Sequence, residues 1–157
     1  MPTIDVSAAK VRLAASCMAT HDIRYYLKGV HVEPRKGGGA YIIGCDGHRL
    51  LVCIDSTATC SAPAILRVTP DMLRRMPKPR RNGEVWPATK GKKRFAAMLA
   101  AKQEPRLQTE KFRGQPALVL TNGQGQPAYV TADKILVEGK FPDWRRVLPD
   151  FTTLERG

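Results

Sequence analysis

Apolar and polar side chains at the start of the chain follow first a helical and then a strand pattern. Apolar residues recur at helical spacing over residues 7–19, and Ser7 in front of them is a favourable N-cap. Apolar and polar residues then alternate over residues 23–28, which predicts a β-strand. The apolar residues occupy odd positions up to Leu27 and even positions from Val30 onward, so we expect a β-bulge at Lys28-Gly29. The chain therefore opens with a predicted helix and strand.

The next apolar runs predict a β-hairpin. Residues 34–39 combine a proline, two basic residues and three glycines, a composition typical of a turn. Asp46-Gly47 then separates the apolar runs at residues 40–44 and 50–54, and an Asp-Gly pair in that position is a strong hairpin signal. The first third of the chain is thus predicted to hold one helix and three antiparallel strands.

A second helix and further strands are predicted later in the chain. Thr69 is a good N-cap, Pro70 suits the first helical position, and Asp71 is favourable near the helix N-terminus. Helix followed by strands therefore occurs twice, which predicts an α+β fold with two similar halves. The later strands are expected at about residues 106–112, 116–121, 128–131 and 134–138.

Length and composition indicate a soluble protein with a single domain. A chain of 157 residues is the size of one domain, so residues 1–157 are treated as a single domain. Hydrophobic residues make up 43% and charged residues 25%, as in ordinary soluble proteins. No apolar run approaches the roughly 18 residues that span a membrane, and the N-terminus has no signal-peptide pattern. We expect a cytoplasmic protein without membrane association.

The charge of the chain is its first functional signal. Twenty-six Lys and Arg residues against fourteen acids give a net charge of +12 and a pI near 10. Such an excess is typical of a protein that binds a polyanion, and nucleic acid is the leading partner. The alternative is a basic surface that is merely solvated.

Half of this excess lies in a predicted basic insert at about residues 77–104. Residues 77–94 carry seven basic residues and one acid, a net charge of +6, and their prolines and glycines predict an extended loop before a short helix at 95–101. The insert is either a solvated loop or an arm that contacts nucleic acid, and Trp86 would stack on a base or pack internally. Its candidate DNA contacts are Arg80, Arg81, Lys92, Lys93 and Arg94.

Residues that could carry chemistry are sparse. The chain has four cysteines, Cys17, Cys45, Cys53 and Cys60. They form no CxxC pair, so we expect reduced thiols, and the CxxH spacing of Cys45 and His48 lacks a second ligand pair for zinc. His48 beside Asp46 could suggest acid–base chemistry, but the Asp-Gly turn explains the Asp, and no third group stands at catalytic spacing. We expect no catalytic residues, no metal and no cofactor.

Three stretches of the chain together resemble one family. Residues 20–29 read THDIRYYLKG, residues 45–53 read CDGHRLLVC, and residues 138–149 read EGKFPDWRRVLP. They are similar to the D-V-R-Y-Y-L-N-G, T-D-G-H-R-L-A-V and G-x-F-P-D-Y-R-R-V-L-P stretches in the middle domain of the bacterial DNA polymerase III beta subunit, the sliding clamp. The resemblance covers about residues 7–149, interrupted by the insert. It implies the DNA clamp fold, with two pseudo-symmetric halves whose helices face DNA, and it implies no catalysis.

The resemblance also implies two sets of site residues. Lys10, Arg74 and Arg75 are further candidate DNA contacts, inferred from their positive charge on the two predicted helices and not from the resemblance. Residues 141–144 have an alternative role, pinning the end of the chain to a sheet. The positions matching the family's peptide pocket are Leu27, Cys45, Gly47, His48, Arg49, Leu50, Pro142 and Val147, with Cys45 in place of the usual Thr. Those matching DNA contacts are His21, Asp22, Arg24, Tyr25, Tyr26 and Arg146.

The family assembles as a ring, and this shapes the expected function. In the family, three such domains per chain and two chains encircle duplex DNA, and polymerase and clamp-loader proteins dock through short apolar peptides. Because this chain matches one of those domains, we expect a DNA-binding processivity factor, with a ring of single-domain copies as the corresponding homo-oligomer. The alternatives are a solitary module that binds such peptides without encircling DNA, and sequence-independent DNA binding through the insert.

Overall fold

Two antiparallel sheets and two short helices form the part of the chain that a computed structural model describes, residues 1–21, 23–79, 85–86, 104–132 and 134–147. Two 3₁₀ turns, Tyr25–Leu27 and Trp144–Val147, complete these elements. The helices are α1 (Ala8–Ala15) and α2 (Pro70–Arg75). The strands are β1 (Ile4–Ser7), β2 (Val30–Pro34), β3 (Ala40–Cys45), β4 (Leu50–Asp55), β5 (Thr59–Cys60), β6 (Ala64–Leu66), β7 (Lys78–Pro79), β8 (Val85–Trp86), β9 (Arg106–Phe112), β10 (Gln115–Thr121) and β11 (Pro127–Thr131).

The strands are arranged in two main sheets and one short pair. The five-stranded sheet has the order β11-β10-β9-β1-β5, and the four-stranded sheet has the order β4-β3-β2-β6. β7 pairs with β8. Neighbouring strands are antiparallel throughout these sheets. The first half of the chain thus contributes β1 and β5 to the sheet formed mainly by the second half. Because these strands share one sheet, the two predicted halves are joined in one structure.

Helix α1 packs directly on the four-stranded sheet, and small side chains make this possible. Ala8 and Ala14 are fully buried, and the backbone of α1 approaches β3 closely at Gly44. A Cβ atom at Gly44 would lie 1.8 Å from the Ala14 carbonyl oxygen, so only glycine fits there. The core between the sheets and helices also contains Ile4, Val6, Val11, Val30, Val32, Ile42, Leu66, Met72, Met76, Leu107, Leu118 and Leu120.

Both predicted helix starts are confirmed. The Ser7 hydroxyl accepts a hydrogen bond from the Lys10 amide at 3.4 Å, and the Thr69 hydroxyl accepts one from the Met72 amide at 3.3 Å. Helix α1 is shorter than predicted because its end tightens into i to i−3 bonds, such as that from the Cys17 amide to the Ala14 carbonyl at 3.1 Å. The hairpin of β3 and β4 is also confirmed, with Cys45 paired to Leu50.

The strand predicted at residues 23–28 is wrong. Leu27 and Lys28 donate their amides to the carbonyls of Arg24 and Tyr25 at 2.9 and 3.0 Å, which makes this segment a 3₁₀ turn. The apolar alternation was misleading because Ile23 is 97% exposed and Tyr25 is 55% exposed, so only Leu27 of that set enters the core.

The bulge predicted at Lys28-Gly29 is also wrong. Gly29 lies just before β2, where a Cβ atom would be 2.5 Å from Ile65 Cγ2 and 2.7 Å from the Leu66 carbonyl oxygen. The glycine therefore permits close approach to β6, and no extra residue is inserted into a strand pair.

The later strands match their predictions within a residue or two, with one exception. Residues 134–138 form a single bridge, between Leu136 and Leu66, where a full strand was predicted. Strands β1, β5 and β6 were not predicted. Within the insert, β7 and β8 pair with each other, while the predicted helix at 95–101 and the five candidate basic contacts lie outside the described residues.

Candidate functional site

The loop between β3 and β4 is organised by one carboxylate. Asp46 Oδ1 accepts hydrogen bonds from the amides of His48 and Arg49 at 2.8 and 2.7 Å, and Asp46 Oδ2 accepts one from Arg49 Nε at 3.0 Å. These amides hold the carboxylate in its charged form and lower the pKa of Asp46 to about 2. The loop therefore presents His48 and Arg49 at its exposed edge in a defined conformation.

Arg24 packs against this loop. Gly47 has a φ of +91°, and a Cβ atom at Gly47 would lie only 2.4 Å from Arg24 Nη2. The loop is also tied to the end of α1, since Arg49 Nη2 donates to the Ser16 carbonyl at 3.3 Å. Arg24, predicted from the resemblance as a DNA contact, thus lies beside the predicted peptide-binding residue Gly47. Sequence spacing gave no signal for this contact.

Behind the loop, three of the predicted peptide-binding residues share one apolar cluster. Leu27 is 1% exposed, whereas Cys45 and Leu50 are half-buried. The cluster lies on the face of the four-stranded sheet that points away from α1, because its β3 and β4 members alternate with the core-facing ones. Its other members are Ala19, Tyr26, Tyr41, Ile43, Val52, Ile65, Val137, Phe141 and Trp144.

Two clefts flank this apolar cluster, and three of the predicted peptide-binding residues line them, His48 and Arg49 in one and Pro142 in the other. A cleft of about 370 Å³ lies between the end of α1 and the hairpin loop and is lined by His21, His48 and Arg49. A second cleft of about 610 Å³ is lined by Pro142 and the residues around it. Val147 ends the 3₁₀ turn that follows Pro142. The structure therefore brings Leu27, Cys45, Gly47, His48, Arg49 and Leu50 together and leaves Pro142 in the neighbouring cleft.

The segment around Pro142 is held on the sheet by aromatic contacts. The Phe141 ring stacks on His31 with ring centroids 4.5 Å apart, and the Trp144 ring meets Tyr41 edge-on at 5.2 Å. The Arg145 guanidinium lies 4.4 Å from the Trp144 ring centroid. These contacts agree with the alternative that this segment pins the chain to the sheet.

A buried ionisable pair lies under the same segment. His31 Nε2 is 2.9 Å from Glu33 Oε2, and Arg145 forms an ion pair with Glu33. Burial lowers the pKa of His31 despite the Glu33 carboxylate, which favours the neutral imidazole. Burial raises the pKa of Glu33, but the hydrogen bonds from His31 and Arg145 outweigh it and keep the pKa below its ordinary value. Glu33 therefore stays charged.

The predicted DNA contacts on the helices are largely paired with other groups. Lys10 Nζ is 4.0 Å from Asp55 Oδ1, and Arg74 forms an ion pair with Asp71. The Arg75 guanidinium lies 4.8 Å from the Tyr129 ring centroid. Among the other predicted contacts, Asp22 lies outside the described residues, whereas His21, Tyr25, Tyr26 and Arg146 are exposed or half-buried. Arg146 is 3.2 Å from Asp143.

A buried polar network beside α1 was missed at the sequence level. Asp55 is 1% exposed, and its carboxylate accepts hydrogen bonds from the Ser7 amide and the Thr57 hydroxyl, each at 2.8 Å. Burial raises the pKa of Asp55, but these bonds and the charge of Arg106 outweigh it, so the carboxylate remains charged. The network joins β1, β4 and β9 and is structural.

The described residues give limits on other chemistry. All four cysteines are free thiols, and Cys53 is the buried one. Within the described ranges, no group of three or more His, Cys, Asp and Glu side chains could hold a metal ion. No helix in that part of the chain has both the length and the apolar character required to cross a membrane.

Comparison with known proteins connects this architecture to one family. The beta sliding clamp of Pseudomonas aeruginosa is 33% identical over 132 residues, covering 84% of this chain and 29% of that protein. The beta sliding clamp of Pseudomonas putida is 31% identical over 132 residues, with the same coverage of both chains. No protein-family model matches the chain.

Solved structures give the same result. The crystal structure of the DNA polymerase sliding clamp from Pseudomonas aeruginosa with ligand has a TM-score of 0.54 and 26% identity, covering 94% of this chain and 34% of that chain. The DNA polymerase III subunit beta from Pseudomonas aeruginosa has a TM-score of 0.51 and 25% identity, covering 96% and 35%. The chain spans about a third of the length of these proteins. It therefore has the DNA clamp fold and is a sliding-clamp-like domain, homologous to one part of the beta sliding clamp.

Proposed function

We propose that this chain is a clamp-like processivity factor, a non-enzymatic protein that binds DNA without sequence preference and holds replication proteins on it. The observation that carries the proposal is the Asp46 hairpin loop beside the apolar cluster of Leu27, Cys45 and Leu50. It supports a surface with an apolar floor and a fixed polar rim. The similarity to sliding clamps over most of this chain supports the same function.

The partners that fit this surface are short apolar peptides of polymerase or clamp-loader proteins. Half-buried Cys45 and Leu50 offer apolar contact, and a small thiol can line an apolar groove. His48 and Arg49 would donate to backbone carbonyls of a bound peptide. Because Asp46 already fixes the loop, little conformational entropy is lost on binding.

DNA is the proposed second partner. The net charge of +12 supports phosphate binding without base readout. Lys10 on α1 and Arg74 and Arg75 on α2 are the proposed contacts on the helices. We propose a closed ring of single-domain copies, because a head-to-tail interface whose rotation closes would surround a duplex.

The assembly is tested by the mass of the native protein at rising concentration, with and without DNA. A single closed oligomer whose mass stays constant over a range of concentrations is the expected result. A protein that stays monomeric at every concentration, with and without DNA, would reject the ring.

A second candidate is a solitary module that binds peptides without encircling DNA. It is favoured by one observation: Lys10, Arg74 and Arg146 all lie next to carboxylates, which reduces the charge available to DNA. Titration of the labelled chain with a short apolar peptide separates the candidates when combined with native mass. Shifts in the resonances of Cys45, Leu50 and His48 from a strictly monomeric protein would favour the module.

A further inference from the structure

Residues 138–147 are attached to the four-stranded sheet by side chains and not by backbone hydrogen bonds. The last backbone bond from this part of the chain to the sheet joins the Val137 amide to the Ile65 carbonyl at 2.8 Å. From there to residue 147, the backbone bonds of the described residues are local, such as that from the Arg146 amide to the Asp143 carbonyl at 3.2 Å. The segment can therefore detach without breaking a strand pair.

The side chain beneath this segment is a buried histidine, His31 of β2. It is 7% exposed, and its ring is parallel to that of Phe141 with an interplanar angle of 2°. His31 Nε2 donates a hydrogen bond to Glu33 Oε2 at 2.9 Å, so a neutral imidazole carries its one proton on Nε2. Nδ1 is buried and has no hydrogen-bond partner among the described residues. Protonation of His31 would place a second N–H there, with no acceptor in that part of the chain.

The surroundings of His31 disfavour its charged form on balance. Burial is the largest influence and lowers the pKa of His31 below its ordinary value of 6.5. The Arg145 guanidinium, which forms an ion pair with Glu33, acts in the same direction. The Glu33 carboxylate and the face of the Phe141 ring attract a positive charge, but they do not outweigh burial. The docked segment therefore selects the neutral imidazole.

The other elements packed around His31 offer no compensation for a second proton. Its cross-strand partners on β3 and β6, Ile43 and Ile65, are apolar. An imidazolium would therefore gain contact with water only if Phe141 moved away from its ring. The other titratable groups near His31 and Glu33 are Tyr41 on β3, Cys60 on β5, and Lys140 and Asp143 in the segment itself.

Attachment of the segment should depend on pH in one direction. Because the pKa of His31 is lowered while the segment is docked, the detached state binds a proton more readily. The docked state is therefore most stable above pH 6.5 and loses stability as the pH falls from 6.5 toward the lowered pKa. Within that window, each pH unit raises the ratio of detached to docked molecules by up to about 10-fold.

Detachment would alter the surface proposed for peptides. Phe141 and Trp144 belong to the apolar cluster behind the hairpin loop. Pro142 and Val147, which the resemblance assigns to the peptide pocket, lie on the same segment. A detached segment would remove both residues from that surface and uncover part of the cluster.

We propose that His31 is a pH-sensitive latch: protonation of its buried Nδ1 detaches residues 138–147 from the four-stranded sheet and weakens peptide binding at the surface that these residues complete. The loss of peptide binding rests on the proposed function. Detachment rests only on the contacts of His31, so the two steps are measured separately.

The test follows the exposure of Trp144 between pH 8 and pH 5. Trp86→Phe leaves Trp144, which is 5% exposed, as the single tryptophan of the parent chain, and acrylamide quenching of its fluorescence reports detachment. NMR titration of the His31 imidazole in the same chain gives its midpoint.

Two variants of this parent chain assign the response to one histidine. His31→Leu replaces the imidazole by an apolar side chain that cannot titrate. The matched control, His21→Gln with His48→Gln, removes the other two imidazoles of the chain, which are exposed. Affinity for a short apolar peptide is then measured at both ends of the pH range for the parent and for His31→Leu, and thermal melting checks that each variant is folded.

We expect quenching of Trp144 to rise as the pH falls below 6.5, and the imidazole of His31 to titrate with a midpoint below 6.5. The control without His21 and His48 should keep this rise, and His31→Leu should abolish it. The peptide affinity of the parent should fall by up to about 10-fold per pH unit in the same window, whereas that of His31→Leu should not.

The outcomes separate the latch from the proposed function. Quenching that stays constant from pH 8 to pH 5, or that rises equally in His31→Leu, would overturn the latch. An imidazole midpoint at or above 6.5 in the parent would also overturn it, and this measurement does not depend on the folding of any His31 variant. Detachment with an unchanged peptide affinity would leave the latch standing and reject only the role of Pro142 and Val147 in peptide binding.

Discussion

Replacement of Gly47 tests how the hairpin loop and Arg24 fit together. Gly47 has a φ of +91° and its missing Cβ would lie 2.4 Å from Arg24 Nη2. Gly37 is a matched control, because its φ is +94° and a Cβ there would meet nothing within 4 Å. Both Gly→Ala changes thus impose the same backbone conformation on alanine, but only the change at Gly47 also requires Arg24 to move.

The size of the effect follows from these two contributions. A left-handed conformation costs an alanine about 1 to 2 kcal/mol, and the less flexible unfolded chain returns about 0.4 to 1 kcal/mol, so Gly37→Ala should destabilise by about 1 kcal/mol. Because a Cβ at Gly47 also displaces the Arg24 guanidinium, we expect an added loss of about 1 kcal/mol there, the size of one hydrogen bond. For a chain of this size the added loss lowers Tm by about 2 to 4 °C.

The assay is urea unfolding of the two single variants, repeated in an Arg24→Ala background. We expect the excess loss at Gly47 to disappear when Arg24 is absent, because the colliding group is gone. Equal destabilisation by Gly37→Ala and Gly47→Ala in the Arg24-containing chain would refute the packing of Arg24 on the loop. Gly47→Ala should also weaken peptide binding, whereas Gly37→Ala should not.

Further predictions concern pH, turn chemistry, packing and the insert. The pKa of Asp46 is lowered to about 2, so the loop should keep its structure as pH falls through the ordinary value of 3.8 and lose it near pH 2. The chemical shift of the His48 amide, followed from pH 6 to pH 1.5, measures this transition. A midpoint near pH 3.8 would contradict the prediction. Arg113 has a φ of +50° before Gly114 in a two-residue hairpin turn, so Arg113→Asn should stabilise the fold by about 0.5 to 1 kcal/mol in urea unfolding, and destabilisation would contradict this. Phe141→Ala removes a buried ring stacked on His31 and should cost about 3 kcal/mol in the same assay, whereas a loss below about 1 kcal/mol would show that the segment is not held on the sheet. Deleting residues 77–94, which carry a net charge of +6, should flatten the salt dependence of duplex binding from a slope of about −5, and an unchanged slope would exclude the insert as a DNA contact.

Features set by neighbouring residues in the chain could be predicted. Ser7 and Thr69 cap their helices because a side-chain oxygen reaches an amide three residues ahead. The β3–β4 hairpin was predictable for the same reason, since the Asp46 carboxylate binds amides two and three residues away and Gly47 allows the positive φ. The motif that identified the loop is therefore also the one that folds it.

Features set by distant partners could not be predicted. The alternation around Tyr25 resembles a strand, but none of the described strands pairs with this segment, which closes into a 3₁₀ turn. Strands β1, β5 and β6 have two to four residues each and are defined by their partners more than by their own pattern. Gly29 and Gly44 matter through backbone approaches to β6 and α1 that sequence spacing does not contain.

The candidate site divides in the same way. Leu27, Cys45 and Leu50, which the resemblance assigns to a peptide pocket, lie in one apolar cluster, and two of them are at the paired ends of a predicted hairpin. The contact of Arg24 with Gly47 and the position of Pro142 in a separate cleft depend on the folded chain and not on sequence spacing.

Retention on circular DNA tests the proposed clamp function most directly. The protein is incubated with a closed circular plasmid, half of the sample is linearised by a restriction enzyme, and both halves are passed through a gel-filtration column at a salt concentration that disrupts simple phosphate contacts. A ring around DNA predicts protein that elutes with the circle and is lost from the linear form by sliding off its ends. Equal retention, or equal loss, on circular and linear DNA would contradict the clamp.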